Sequence, residues 1–269
     1  MKKFSGKVAI VTGSSKGIGK AIALELAKQG ISIVLNGRNE SKLRETEQEL
    51  KKIHQQCISV CVDVSTIEGS DLLIQSTINV FGRLDILINN VGISSRGNVT
   101  DLNTEVFKRV FESNILGTVY PTIPALKYIQ ENSGSIVFIS SLAGIRGLPG
   151  LSPYCSSKMA LRAIAESIRI ETKNKIHVGL IYVGVTEIEP NKEAIAADGT
   201  PQILASRNTK KVKSTQSVAK AVLKNIKRRK FISILTPIGN INAFLQRFFP
   251  AVVEWIIIKN IHKFEEANK

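Results

Sequence analysis

The chain has 269 residues, of which 43% are hydrophobic and 22% charged, and these values are ordinary for a globular protein. They exclude a wholly disordered chain, and the 19 glycines, 8 prolines and 3 cysteines exclude collagen-like and disulfide-stapled classes. The length suits one α/β domain. The net charge is +15, and residues 199–253 hold eleven basic and no acidic side chains. Such a block suits phosphate on a cofactor, nucleic acid or membrane, or else is a solvated face.

Short apolar runs alternate with helical patterns along most of the chain. The apolar runs predict strands at 8–11, 31–35, 58–62, 85–88, 135–139, 176–182 and 231–235. The patterns between them predict helices at 18–29, 40–53, a stretch ending near 81, 104–130 and 154–172. This alternation indicates βαβ units, so we predict a single-domain, Rossmann-type, doubly wound parallel sheet of about seven strands. Beyond Gly184 the pattern is irregular.

Cysteine, histidine and the N-terminal residues indicate the compartment. The first residues include lysines but no apolar segment of a secretory signal. Cys57 and Cys61 lie four apart on a predicted strand, roughly 13 Å from each other, which is too far for a disulfide. The three histidines lack the spacing of a zinc site. We therefore expect a reduced, cytoplasmic protein without a metal.

A glycine-rich segment from Thr12 to Gly19 follows the first predicted strand and opens a helix. In that context glycines let the backbone approach a pyrophosphate, whose charge lies at the helix N-terminus. The spacing Gly-x-x-x-Gly-x-Gly is also compatible with a plain tight turn. We expect the segment to bind a dinucleotide through Gly13, Ser15, Lys16, Gly17, Ile18 and Gly19.

The end of the second predicted strand indicates which cofactor is bound. A carboxylate there would hold the ribose hydroxyl of NAD, whereas a cation suits the 2′-phosphate of NADP. The sequence reads Asn36-Gly37-Arg38, and Lys16 adds a second cation. We therefore predict NADP(H), with Asn36 and Arg38 in its site; the alternative is that Arg38 is merely a surface loop residue.

Tyr154 and Lys158 lie four residues apart near the start of a predicted helix, so they share one face. An ammonium beside a phenol favours the phenolate and lowers a tyrosine pKa from its usual value of about 10. Such a tyrosine suits proton donation to a carbonyl. Ser141 ends the fifth predicted strand, where a parallel sheet presents residues to its ligand crevice. A serine there is also a common turn or cap residue.

Together these motifs resemble the short-chain dehydrogenase/reductase family over residues 7–188. In chain order the matching pieces are the loop from Thr12 to Gly19, Asp63-Val64, Asn89-Asn90-Val91-Gly92, Asn114, Ser140-Ser141 and Tyr154-Cys155-Ser156-Ser157-Lys158. The resemblance implies hydride transfer between a nicotinamide and a carbonyl or alcohol.

The resemblance also implies a role for each residue. Tyr154 is the general acid in reduction, and Lys158 lowers its pKa and binds the nicotinamide ribose. Ser141 polarises the substrate carbonyl, and Asn114 positions a water that links Lys158 to solvent. The remaining matches line the cofactor cleft, with Asp63 and Val64 at the adenine, and with Asn90, which is partly structural, and Gly92 deeper in the cleft.

The sequence departs from the family pattern after the sixth predicted strand, where the usual Pro-Gly reads Val183-Gly184. Thr186 is the candidate for the nicotinamide amide contact. Members similar to hydroxysteroid dehydrogenases and 3-ketosphinganine reductases also depart here, and they often act on hydrophobic ketones at a membrane. We therefore expect an NADPH-dependent reductase of an apolar ketone, acting as a homodimer or homotetramer. A soluble 3-oxoacyl thioester reductase and a non-catalytic NADP-binding scaffold remain as alternatives.

The last quarter of the chain combines basic and apolar residues. Residues 220–230 are strongly basic, and residues 238–261 are apolar but interrupted by Arg247, Pro250 and Glu254. The apolar run is too broken for a spanning helix. We expect a catalytic domain at 1–237 and an extension at 238–269 that contacts a membrane surface, covers the pocket or forms a subunit interface. No nucleic-acid-binding motif accompanies the charge.

Overall fold

The computed structural model describes residues 4–187, 192–204 and 212–262. Arg207, Lys210 and Lys211, three members of the basic block, and the last residues of the predicted extension lie outside these ranges. The described strands are β1 (Val8–Val11), β2 (Ser32–Gly37), β3 (Cys57–Cys61), β4 (Ile86–Asn89), β5 (Ser135–Ser141), β6 (His177–Val183), β7 (Glu193–Ile195), β8 (Pro201–Ile203) and β9 (Ile232–Ile234).

Seven of these strands form one parallel sheet in the order β3-β2-β1-β4-β5-β6-β9, while β7 and β8 pair as a separate antiparallel hairpin. The predicted seven-stranded doubly wound sheet is therefore confirmed. The chain winds outward from β1 to β3 and then crosses to β4 on the other side of β1. That reversal opens a crevice beyond the carboxyl ends of β1 and β4, where ligands of such sheets bind.

Helices cover both faces of the sheet. They are α1 (Gly17–Ala27), α2 (Glu40–Lys51), α3 (Ile67–Phe81), α4 (Thr104–Phe111), α5 (Gly117–Glu131), α6 (Ser152–Glu171), α7 (Thr215–Arg228), α8 (Pro237–Phe248) and α9 (Pro250–Lys259). The helix predicted at 104–130 is interrupted by a π-helical turn over Glu112–Leu116. The region that the sequence pattern left irregular contains α7, which packs on α1.

The strands are apolar because both of their faces are buried. Side chains alternate along a strand, so Ala9 and Val11 join the core on the face covered by α1 and α7. Val8 and Ile10 point the other way, into the core shared with α3, α5 and α6. Burial on both faces explains the continuous apolar runs. It also fixes the register of the strands, and with it the position of the loops at the crevice.

The C-terminal helices differ from the rest of the chain in their exposure. Among the described residues, no single helix is both long and apolar enough to cross a membrane. α8 and α9 meet that criterion only as a pair, and the chain direction bends by 119° between them.

Candidate active site

A cleft of about 1270 Å³ lies at the carboxyl edge of the sheet. It brings together every predicted site residue except Asn114, which lies behind its wall. The lining residues from that set are Gly13, Ser15, Lys16, Gly17, Ile18, Gly19, Asn36, Arg38, Asp63, Val64, Asn90, Gly92, Ser141, Tyr154, Lys158 and Thr186. Residues from six strand ends and two helix starts thus converge on one volume.

The glycine-rich loop has the backbone geometry of an anion site. Gly13 and Gly17 have positive φ values of 61° and 57°, which favour glycine. A Cβ on Gly19 would lie 2.2 Å from the Gly13 carbonyl oxygen, so that position has no room for a side chain. No side chain caps the first turn of α1, and no acidic residue lies in it. The N–H groups of that turn therefore suit a pyrophosphate.

Asn90 holds the loop in place from the neighbouring strand. Its Nδ2 donates to the carbonyl oxygens of Thr12 at 3.0 Å and Gly13 at 3.1 Å. Its backbone N–H donates to Thr12 Oγ1 at 3.0 Å. The carboxamide is thus bonded to the loop that shapes the phosphate site.

The end of β2 brings a cation into the cleft. Arg38 Nη1 lies 3.3 Å from Asp63 Oδ2, and the guanidinium is largely exposed. Burial alone would raise the pKa of Asp63, but hydrogen bonds from Ser65 and the charge of Arg38 hold that pKa below its ordinary value. The side chain of Asn36 is buried, where its Nδ2 donates to the carbonyl oxygens of Val60 and Val62. Arg38 and Asp63 therefore form one charged pair at the predicted ribose end.

Ser141, Tyr154 and Lys158 meet where β5 ends and α6 begins. Lys158 Nζ lies 6.0 Å from the centroid of the Tyr154 ring and donates to the Ile139 carbonyl oxygen at 3.1 Å. Ser141 Oγ accepts from the Ala143 N–H at 3.2 Å, so its own hydrogen remains available as a donor. These three side chains can hold and protonate an oxygen atom.

Lys158 is almost fully buried. Burial, and to a lesser degree the charge of Lys192, lower its pKa from 10.5 to about 8. Gly92 makes this position fit, because a Cβ there would lie 3.0 Å from Lys158 Nζ. Sequence reasoning missed Lys192, which lies in the irregular region and lines the same cleft.

Asn114 occupies the π-helical turn, a feature that often marks functional sites. Its Oδ1 accepts from the Ile93 N–H at 2.7 Å. Its Nδ2 donates to the Ile93 carbonyl oxygen at 3.0 Å and to Ser157 Oγ at 2.9 Å. Asn114 thus joins the strand that ends at Asn89 to the helix that carries Tyr154. No sequence signal singled out Ser157 as its partner.

Thr186 lies at the cleft where the chain leaves β6. The side chain is buried, and its Oγ1 donates to the Gly184 carbonyl oxygen at 3.1 Å. Its backbone bridges to Lys213. Thr186 therefore lies in the cleft although the residues before it read Val183-Gly184.

A protein-family model matches most of the chain. The model described as short chain dehydrogenase matches residues 7–199. The chain is 34% identical to the 3-ketodihydrosphingosine reductase of Bos taurus over 238 residues, covering 85% of this chain and 70% of that protein. It is 33% identical to the 11-beta-hydroxysteroid dehydrogenase-like 4A of Arabidopsis thaliana over 236 residues, covering 85% and 76%.

Two solved structures share the fold. A short chain dehydrogenase/reductase from Burkholderia phymatum, in complex with NAD, has a TM-score of 0.80 at 22% identity, covering 92% of this chain and 95% of that one. An alcohol dehydrogenase from the archaeon Thermococcus sibiricus, complexed with 5-hydroxy-NADP, has a TM-score of 0.74 at 24% identity, covering 85% and 95%.

Proposed function

Because the chain belongs to the short-chain dehydrogenase family, and is thus an NAD(P)-dependent oxidoreductase, we propose that it reduces an apolar ketone with NADPH. The observation that carries the proposal is the placement of Tyr154 beside the buried Lys158, in one cleft with Ser141 and the glycine-rich loop. Relatives named for a 3-keto lipid and for hydroxysteroids support this class of reaction.

The described residues fit a phosphorylated dinucleotide. No side chain caps the first turn of α1, so its N–H groups can bind the pyrophosphate. Because Gly19 has no side chain, the glycine-rich loop lies close against the helix. Arg38 and Lys16 would meet the 2′-phosphate, because no carboxylate ends β2. When bound, the nicotinamide supplies the hydride that adds to the carbonyl carbon.

The chain's own residues handle the oxygen of the substrate. Ser141 donates a hydrogen bond to it, and Tyr154 donates the proton that makes it a hydroxyl. Lys158, charged below pH 8 or so, stabilises the phenolate that remains. Asn114, which holds the segment between β4 and Ile93 against α6, would keep a water near Lys158 to restore the proton.

The substrate half of the cleft favours an apolar molecule. Its apolar lining residues beyond the catalytic side chains are Leu142, Leu148, Leu151, Val185 and Leu204, and the charged Arg96, Lys192 and Glu193 also line the cleft. Burial of apolar surface contributes about 25 cal/mol per Å², so a long apolar ketone binds this wall better than a short one.

The test is Tyr154→Phe. We expect turnover to fall about 10²- to 10⁴-fold, the usual contribution of a general acid, while NADPH binding measured by calorimetry is retained. Tyr128→Phe is the matched control, because Tyr128 also lies beside a lysine, with Lys127 Nζ 4.5 Å from its ring centroid, but outside the cleft. Unchanged turnover in Tyr154→Phe would overturn the assigned role.

A further inference from the structure

The helices α8 and α9, together called the C-terminal hairpin, expose nearly all of their large apolar side chains. Phe244 is 57% exposed and Trp255 is 61% exposed. The buried positions of the hairpin are Gly239 in α8 and Val253 in α9. The exposed apolar members are Ile238, Ile241, Phe244, Phe248, Phe249, Val252, Trp255, Ile256 and Ile258. A patch of this extent marks an interaction surface.

We propose that the C-terminal hairpin docks the protein on the surface of an anionic phospholipid bilayer. α9 is apolar on almost every side yet lies outside the core, an arrangement that suits lipid as its solvent. With a rise of about 1.5 Å per residue, neither helix reaches even about 20 Å, against a hydrocarbon core of about 30 Å. The hairpin therefore lies in the interface.

The charges of the hairpin fit anionic headgroups. Arg247 lies 5.5 Å from the Phe248 ring centroid and Lys259 lies 5.1 Å from that of Trp255, so each cation is paired with an aromatic ring in the last turn of its helix. Such pairs suit the headgroup level, with rings in the acyl boundary and cations in the phosphate layer. Glu254 faces Arg146 at 3.7 Å. A second copy seated on the hairpin would instead set these cations against its own, since Glu254, held by Arg146, is the hairpin's one acidic side chain.

The carboxyl end of the basic run, residues 227–230, does not belong to this surface. Lys227 contacts Gln29, and Arg229 donates to the Ser133 carbonyl oxygen at the amino end of β5. β9 then runs parallel to β6 from the amino edge of the sheet to its carboxyl edge, and α8 begins there. Residues 227–230 and α8 therefore lie at opposite edges, whereas Lys220 lines the cleft, and the docking surface relies on Arg247 and Lys259.

The hairpin is fixed beside the catalytic cleft. A Cβ on Gly239 would lie 2.6 Å from Leu142 Cδ2, so α8 packs closely on a residue that lines the cleft. Arg146, which holds Glu254, belongs to the same loop between Ser141 and Tyr154. If the chain is the proposed reductase, docking brings its apolar cleft to a lipid-borne ketone. Docking itself does not depend on that activity.

The experiment is sedimentation of the full chain with vesicles of phosphatidylcholine alone or mixed with phosphatidylglycerol. We expect binding to the mixed vesicles that weakens at high salt, because added ions screen the headgroup charge. The double substitution Phe244→Ser and Trp255→Ser should weaken binding by about tenfold or more, since two aromatic side chains leave the acyl boundary. Ile67→Ser with Leu72→Ser, which removes two exposed apolar side chains from α3, is the matched control and should bind like the wild type.

Three results would overturn the proposal: no binding by the wild type, equal loss in both double variants, or a hairpin variant that leaves vesicle binding unchanged. A second copy covers the patch if the wild type does not bind vesicles and the hairpin variant dissociates an oligomer in sedimentation velocity. NADPH oxidation with ketones graded by apolar length, measured without vesicles, reports catalysis separately. Failure with every ketone of that series would contradict the proposed reductase and leave docking standing.

Discussion

The buried charge of Lys158 lowers the unfolding free energy of the protein at neutral pH, and Lys158→Met should remove that cost. Lys158 Nζ is buried with a backbone carbonyl oxygen as its hydrogen-bond acceptor. Its pKa in the folded chain is about 8, against a value of 10.5 for a free lysine. Below the folded pKa both states carry the proton, and the folded state bears the full desolvation cost. As the pH rises from 8 towards 10.5 the folded chain releases the proton first, so the cost is lifted.

The size of the effect follows from this difference in pKa. One pKa unit corresponds to about 1.4 kcal/mol. Between about pH 7 and about pH 9.5, the linkage relation gives a gain of about 2 kcal/mol in the unfolding free energy of the wild type. Lys158→Met has no such proton to release, so its stability relative to the wild type should fall by that amount over the interval.

The assay is urea unfolding of the cofactor-free chain and the variant at several pH values. Both proteins carry Tyr154→Phe, because the phenol beside Lys158 would otherwise titrate differently in the two, so their difference isolates Lys158. Lys224→Met, on the exposed face of α7, controls for the loss of one positive charge and should give a difference that is flat with pH. A flat difference for Lys158→Met as well would refute the argument that burial lowers this pKa.

Three further substitutions probe the rest of the site. Arg38→Asp should weaken NADPH binding by about tenfold or more, the range of a charged hydrogen bond, and NADH far less; equal losses in calorimetry would refute the 2′-phosphate contact. Gly19→Ala places a Cβ 2.2 Å from the Gly13 oxygen and should reduce NADPH affinity, whereas Gly147→Ala, with nothing within 4 Å, should not. Asn114→Ala leaves both backbone groups of Ile93 without their partner and should lower the unfolding free energy by about 2–4 kcal/mol; a loss below about 1 kcal/mol would contradict it.

The features that could be predicted from the sequence are formed by residues that lie close together along the chain. The apolar run at Val8–Val11 and the glycine loop after it are adjacent, so their pattern predicts a strand, a tight turn and a helix. Tyr154 and Lys158 share a helix face because four residues make about one turn. The family resemblance then added Asn114, which has no local signal of its own.

The contacts that could not be predicted join distant segments. Arg38 and Asp63 are 25 residues apart, and Asn114 and Ser157 are 43 apart. Arg38 and Asp63 meet because β2 and β3 are neighbours in the sheet, and Asn114 and Ser157 meet because the π-helical turn packs against α6. No local sequence pattern specifies either contact. The influence of Lys192 on Lys158 is of the same kind.

The C-terminal quarter shows how sequence proximity misleads. Residues 220–230 and α8 are separated by few residues, so they look like one basic and apolar segment. The short strand β9 lies between them and takes the chain from the amino edge of the sheet to the carboxyl edge. Residues 227–230 and the apolar hairpin consequently face different surroundings.

The central claim is tested most directly by following the loss of NADPH absorbance with a series of ketones graded by apolar length. We expect kcat/KM to rise with apolar length, NADPH to be preferred to NADH, and Tyr154→Phe to lower turnover about 10²- to 10⁴-fold. No turnover of any ketone by a protein that demonstrably binds NADPH would contradict it.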